Sequence, residues 1–169
     1  MTGVLTIRQT RGADLAEIDA LFQRSYPALL QGHYPPSLMV MAIPLISRAN
    51  PALVASGHYF AVVDDWGRIV GAGGWSRAVP WGEARGVGPV GHIRYVVTDH
   101  RRTRQGVGRR LMTHIIADAR GAGIRQLDCL STRMAVPFYA ACGFEEVGPV
   151  MIALREAIQF PAILMRREV

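Results

Sequence analysis

Residues 96–111 read VVTDHRRTRQGVGRRL. A β-branched run ends at Thr98, five arginines follow, and Gly106 and Gly108 stand just before an apolar helical pattern. The order strand, turn, helix gives these glycines their meaning. A helix start leaves its first backbone N–H groups without intrahelical acceptors and carries about half a positive charge. Glycine removes the Cβ that keeps an anion away from those donors. Arg104 and Arg109 flank the glycines and can add charge-assisted hydrogen bonds. The stretch therefore predicts a strand–turn–helix unit with an anion-binding turn at its centre. On spacing alone the plainer reading stays open, in which the arginines form a solvated face of a basic protein.

Working outward, HIRYVVT (residues 92–98) reads as a strand, and alternation places His92, Arg94, Val96 and Thr98 on one face. The helix beginning near Gly106 repeats Val107, Leu111, Ile115 and Ala119 and stops at Gly121-Ala122-Gly123. RQLDCLS (125–131) alternates again, and AVPFYAACGF (135–144) is a short helix with Pro137 in its first turn and Gly143 closing it. FEEVGPVMIAL and FPAILMRRE supply two final strands. Towards the N-terminus, LTIRQT (5–10) is a strand. The next segment is helical, with Asp14 expected as its cap. Residues 27–57 are apolar helical pieces interrupted by Pro35, Pro36, Pro44 and Pro51. HYFAVVDDWGRIVGAGGWS (58–76) is a hairpin turning through Asp64–Gly67. This order predicts an α/β fold with a mixed sheet, in one domain over residues 1–169.

Composition narrows the function classes. The 169 residues include no lysine, so all 19 basic residues are arginine and the formal charge is +6. Codon bias accounts for that more simply than selection at every site. Cys129 and Cys142 make no disulfide framework, and no Cys or His spacing suggests a metal site. The longest apolar run, Leu38–Ile46, is about half a membrane span, and the N-terminus lacks a signal-peptide core. A cytoplasmic protein is expected. Basic residues are not interleaved with aromatics and show no helix-turn-helix spacing, so nucleic-acid binding is the least supported class. GVGPVG (Gly86–Gly91) has the letters of a dinucleotide fingerprint, but Pro89 interrupts it and a strand follows, so it reads as a loop. GAGG (Gly71–Gly74) marks a bulge or close backbone approach within a strand.

The run VVTDHRRTRQGVGRRL, followed some thirty residues later by PFYAACGF, resembles the GNAT superfamily of acyl-CoA-dependent N-acetyltransferases. The similarity covers residues 60–148 well and the rest loosely. It implies a GNAT fold: a mixed central β-sheet of about six to seven strands flanked by about four helices. It implies acetyl-CoA as cosubstrate, with its diphosphate on the turn Thr103-Arg104-Gln105-Gly106-Val107-Gly108 beside Arg109. Threonine departs from the usual glutamine or arginine at the first turn position; the backbone amides are unaffected. The resemblance also implies that HIRYVVT splays from RQLDCLS, leaving a V-shaped gap where the pantetheine arm pairs with Val96, Val97 and Thr98.

For the chemistry, the resemblance places Tyr139, four residues before Gly143, as donor to the departing thiol. Some family members carry a glutamate base at the position of His92, and an imidazole there can accept a proton directly or through water. Glu83 is a rival base, and Cys142 a remoter candidate for a covalent step. The acceptor pocket is expected from residues 20–57 and the loop around Trp75–Arg85. Tyr26, Tyr34, Trp75 and Trp81 are candidates for an aromatic wall or, equally, for core and dimer contacts. The function implied is transfer of an acetyl or short acyl group to a primary amine by direct attack in a ternary complex. A non-catalytic acyl-CoA-binding module is the alternative. No membrane partner is expected, and the resemblance allows a homodimer.

Overall fold

The computed structural model describes residues 3–80, 88–155 and 158–169. Among them, seven strands form one sheet: β1 (Thr6–Gln9), β2 (Tyr59–Val63), β3 (Ile69–Ser76), β4 (Val90–Thr98), β5 (Gln126–Ser131), β6 (Glu145–Arg155) and β7 (Ile158–Glu168). Their order is β1-β2-β3-β4-β5-β7-β6. Every neighbouring pair is antiparallel except β4 and β5, which are parallel and joined by a helical crossover. The helices are α1 (Leu15–Leu30), α2 (Pro36–Ile46), α3 (Pro51–Val54), α4 (Val107–Gly121) and α5 (Val136–Ala141). The expected mixed sheet is present, and α3, a single turn, is the helix beyond the expected four.

The prolines of residues 27–57 start helices more than they break them. Pro36 and Pro51 occupy first-turn positions of α2 and α3, where a missing N–H costs nothing, while Pro27 and Pro44 lie inside helices. Asn50 caps α3 by accepting from the amides of Ala52 and Leu53. Asp14 does not cap α1 through its side chain. Its carboxylate reaches back to the Arg11 amide at 2.7 Å and takes both arms of Arg8 at 2.8 Å, closing the 3₁₀ turn that precedes the helix.

The expected periodicity of α4 holds: Val107, Leu111, Ile115 and Ala119 are all buried against the sheet. On the opposite face, α1 buries Ile18, Leu21 and Phe22 against Tyr59, Ala72 and Val97. A third apolar cluster seats α2 on the start of β7, with Tyr34 packed on Phe160.

The glycines of β3 allow close approach, as expected. A Cβ on Gly73 would lie 2.8 Å from Val96 Cγ2, and one on Gly74 would lie 2.1 Å from the His58 carbonyl. Across from Gly73 the register with β4 shifts, and Tyr95 takes a positive φ of 45°. This β-bulge overturns the expected single face of His92, Arg94, Val96 and Thr98. Ile93 and Val96 pack towards α4, whereas Tyr95 and Val97 pack towards α1. Two consecutive residues, Arg94 and Tyr95, therefore project on the α1 side, because a bulge adds one residue and inverts the alternation beyond it. β5 pairs along its whole length with β7 but with β4 only through Val90, Gly91 and His92. Beyond His92 the two halves of the sheet splay apart.

Candidate active site

The splay opens a cleft of about 160 Å³ through the sheet. Val96 and Val97 line one side, Cys129 and Leu130 the other, and Tyr139 closes it from α5. Residues of α1 and α2, among them Tyr26, Leu30 and Ile46, line it as well. Thr98 does not line the cleft; it pairs with Gly71 and approaches Gly108.

The turn after β4 has the geometry of an anion cradle. Arg104 and Gly106 have φ of 64° and 77°, and the Gly106 conformation sets the start of α4. Only glycine takes that left-handed backbone without strain. The amides of Gln105 to Arg109 donate to no acceptor among the described residues, and Thr103 to Gly106 are exposed. The two glycines do different work. A Cβ on Gly106 would meet open space, so conformation requires that glycine; a Cβ on Gly108 would come 3.0 Å from Phe138, so packing of α4 on α5 requires the other.

The arginines of this stretch divide in the same way. Arg101 binds the buried Asp99 with backbone and side chain, at 3.0 Å to each carboxylate oxygen, and Arg24 reaches Asp99 from α1 at 3.2 Å. Arg102 binds Asp64, in the β2–β3 turn, at 2.9 Å. Burial pushes the Asp99 carboxyl up, but the hydrogen bonds from Arg101 and Arg24 outweigh it and hold it well below the ordinary carboxylate range. These pairs anchor the turn to the scaffold. Arg104, Arg109 and Arg110 are exposed and make no ion pair among the described residues. Arg109 also lines a second hollow between α4 and α5, shared with Cys142 and Arg167.

Tyr139 is 6% exposed and packs edge-on against Phe138 and Phe144. Burial pushes its phenol well above the ordinary value, and the neighbouring Cys129 thiol adds to the shift. Burial likewise pushes Cys129 up to about 12, so this thiol stays protonated. Cys142 lies outside the cleft; its carbonyl accepts from Arg167 at 2.6 Å and burial raises its thiol pKa, which gives no support to a covalent cysteine step.

His92 sits in the paired part of the strands, opposite Asp128, and does not line the cleft. Burial lowers its pKa and Arg94 lowers it further, against an opposing pull from Asp128. Of the expected aromatic wall, Tyr26 lines the cleft. Tyr34 is instead tied into the scaffold by Pro161 and Arg133, and Trp75 is buried with its Nε1 on Asp118. Trp81 and Glu83 lie outside the described residues. Sequence reading missed Arg94 and Tyr95 as cleft residues; the adjacent Gly73 and Gly74 were the signal for the bulge on the facing strand β4.

With this geometry in place, the chain can be compared with known proteins. It is 33% identical over 97 residues to glucosamine 6-phosphate N-acetyltransferase 1 of Oryza sativa subsp. japonica, a match spanning 56% of this chain and 58% of that protein. Its fold superposes on a GCN5-related N-acetyltransferase from Rhodopseudomonas palustris with a TM-score of 0.77 at 19% identity, covering 100% of this chain and 99% of that one. A second likeness is PaiA N-acetyltransferase from Thermoplasma acidophilum, solved with coenzyme A, with a TM-score of 0.73 at 11% identity, covering 98% and 99%. The model of the acetyltransferase (GNAT) family matches residues 15–144. The strand, turn and helix at residues 96–111 are thus those of a family member: the chain belongs to the GNAT acetyltransferase family.

Proposed function

We propose that the protein is an acyl-CoA-dependent N-acetyltransferase that moves an acetyl or short acyl group from acetyl-CoA to a primary amine by direct attack in a ternary complex. One observation carries this reading: a row of unpaired amides at Gln105–Arg109 leads directly into a gap in the sheet that ends at a buried phenol. The amides and the positive end of α4 suit a diphosphate, and Arg104 and Arg109 add charge. The β4 edge at Val96, Val97 and Thr98 has no strand partner on the β5 side, which leaves it open to the coenzyme's amide-bearing arm. The thioester supplies an activated acyl group.

The protein must then supply a neutral amine and a stabilised leaving sulfur. An alkyl amine of pKa about 10.4 lies more than three units from neutrality at pH 7, a cost of roughly 4–5 kcal/mol. His92, held neutral by burial, can take up the proton through water. Tyr139 remains protonated for the same reason, since burial disfavours the charged form, here the phenolate. So weak an acid stabilises the departing sulfur chiefly by donating a hydrogen bond, since complete transfer to a thiolate whose conjugate thiol has a pKa of about 8.5 runs uphill.

The rice relative's name gives it an amino sugar phosphate as acceptor, and a primary amine is the functional group proposed here. The test is release of free thiol from acetyl-CoA across a panel of amines. Turnover with at least one amine supports the enzyme; tight coenzyme binding with no thiol released above buffer would instead leave an acyl-CoA-binding module.

A further inference from the structure

Arg94 is the one charged side chain among the described residues that line the cleft. It stands on β4 two residues beyond the last position paired with β5, on the α1 side by ordinary alternation after Ile93, and the bulge adds Tyr95 to that side. Its Nη1 donates to Ser76 Oγ at 2.9 Å, and its guanidinium lies 5.8 Å from the Tyr95 ring. No carboxylate among the described residues lies within ion-pair distance of it. A guanidinium has five N–H donors in a planar fork. Holding it half-buried is unfavourable unless an anion or several acceptors complete its shell. Burial accordingly pulls its pKa below the ordinary arginine value. Tyr26, on α1, lines the same cleft and lies near enough to Tyr139 to raise its phenol.

The geometry points to Arg94 as the residue that selects the acceptor, seating a carboxylate or phosphate carried by the same molecule that presents the primary amine. This inference rests on the acetyltransferase reading and names the acceptor class for that site. The anion takes up the unused donors of the fork, and a bidentate pair fixes the acceptor's orientation as well as its affinity. The same positive charge disfavours an ammonium group nearby, so it opposes polyamine acceptors and eases loss of the amine's proton.

The experiment compares wild-type protein with Arg94→Gln and Arg94→Lys, each first checked for fold by circular dichroism and for coenzyme A affinity by calorimetry. The carboxylate arm sets glutamate and 4-aminobutyrate against their amides. The phosphate arm sets glucosamine 6-phosphate and O-phosphoethanolamine against the unphosphorylated amines, and spermidine stands as the cationic control. Binding to the coenzyme-loaded protein is read by calorimetry, and thiol release is read separately. The expected result is that wild type prefers one anionic arm by about tenfold or more. Arg94→Gln should lose that preference while keeping its affinity for coenzyme A, and Arg94→Lys should retain part of it. Binding of an anionic probe without thiol release would uphold Arg94 and overturn the catalytic reading. Equal handling of charged and neutral partners by wild type would overturn the role given to Arg94, even with thiol released. So would an Arg94→Gln variant that weakens coenzyme and every acceptor alike.

Discussion

The two ends of the cleft are built from different materials. At the proposed coenzyme end, between β4 and α4, the groups facing outward are main-chain amides fixed by Gly106 and braced by ion pairs to Asp99 and Asp64. At the proposed acceptor end, side chains do the work: Arg94 and Tyr95 from β4, the second turned there by a bulge, and Tyr26 from α1. A backbone cradle depends on conformation and tolerates changes of side chain, so it carries a shared task. A side-chain pocket changes with each substitution, so it carries specificity. Tyr139 lines the cleft from α5, and the role proposed for it belongs to the chemistry rather than to either binding task.

The sharpest way to break this division is Tyr139→Phe. It should lower kcat by about 10²- to 10³-fold, the range of a hydrogen-bond donor to developing charge, with coenzyme affinity within about twofold by calorimetry. A parallel loss of coenzyme affinity would mean that the ring mainly packs α5. Gly106→Asp should give the complementary result. Left-handed strain and an opposing charge in place of charge-assisted hydrogen bonds amount to about 3 kcal/mol, or roughly 100-fold weaker coenzyme binding.

Asp99→Asn probes the brace. Denaturant unfolding at pH 7 should show a loss of about 1–3 kcal/mol. Because the folded-state pKa of Asp99 is depressed, its contribution is complete above the unfolded carboxylate value near 3.9 and disappears as pH falls through the lower folded value. The gap between variant and wild type should therefore narrow in strong acid, and a gap unchanged by pH would remove the ion pairs from the explanation. The smallest effect is expected from His92→Gln. A base whose pKa is lowered by burial gives kcat/KM an acid limb below its ordinary value near 6.5. The variant should flatten that limb and cost about tenfold at pH 7, the low end for a group acting through water. An unaltered pH profile would exclude His92 as the base.

Legibility in the sequence follows the same division. The coenzyme end could be read because local rules suffice there: a β-branched run, glycines at a helix start and a four-residue apolar repeat are all contiguous. The helix start at Val107 and the buried positions of α4 emerged as expected. The acceptor end could not be read, because strict alternation along β4 fails at Tyr95 and one bulge moves Val96 to the other face. The anchoring of the turn was hidden for a different reason. Asp99 meets Arg24, and Asp64 meets Arg102, across long sequence separations that no local pattern marks. Trp75 and Tyr34 were candidates for a pocket wall and proved to be scaffold, since their polar atoms found partners on α4, β7 and the residues before α5.

The central claim concerns main-chain donors, and backbone resonances report on them directly. With glycine labelled by ¹⁵N, titration with coenzyme A should move the Gly106 and Gly108 amide peaks more than those of other glycines, saturating at the calorimetric Kd. Saturable binding that leaves both peaks in place would show that the diphosphate is held somewhere other than this turn.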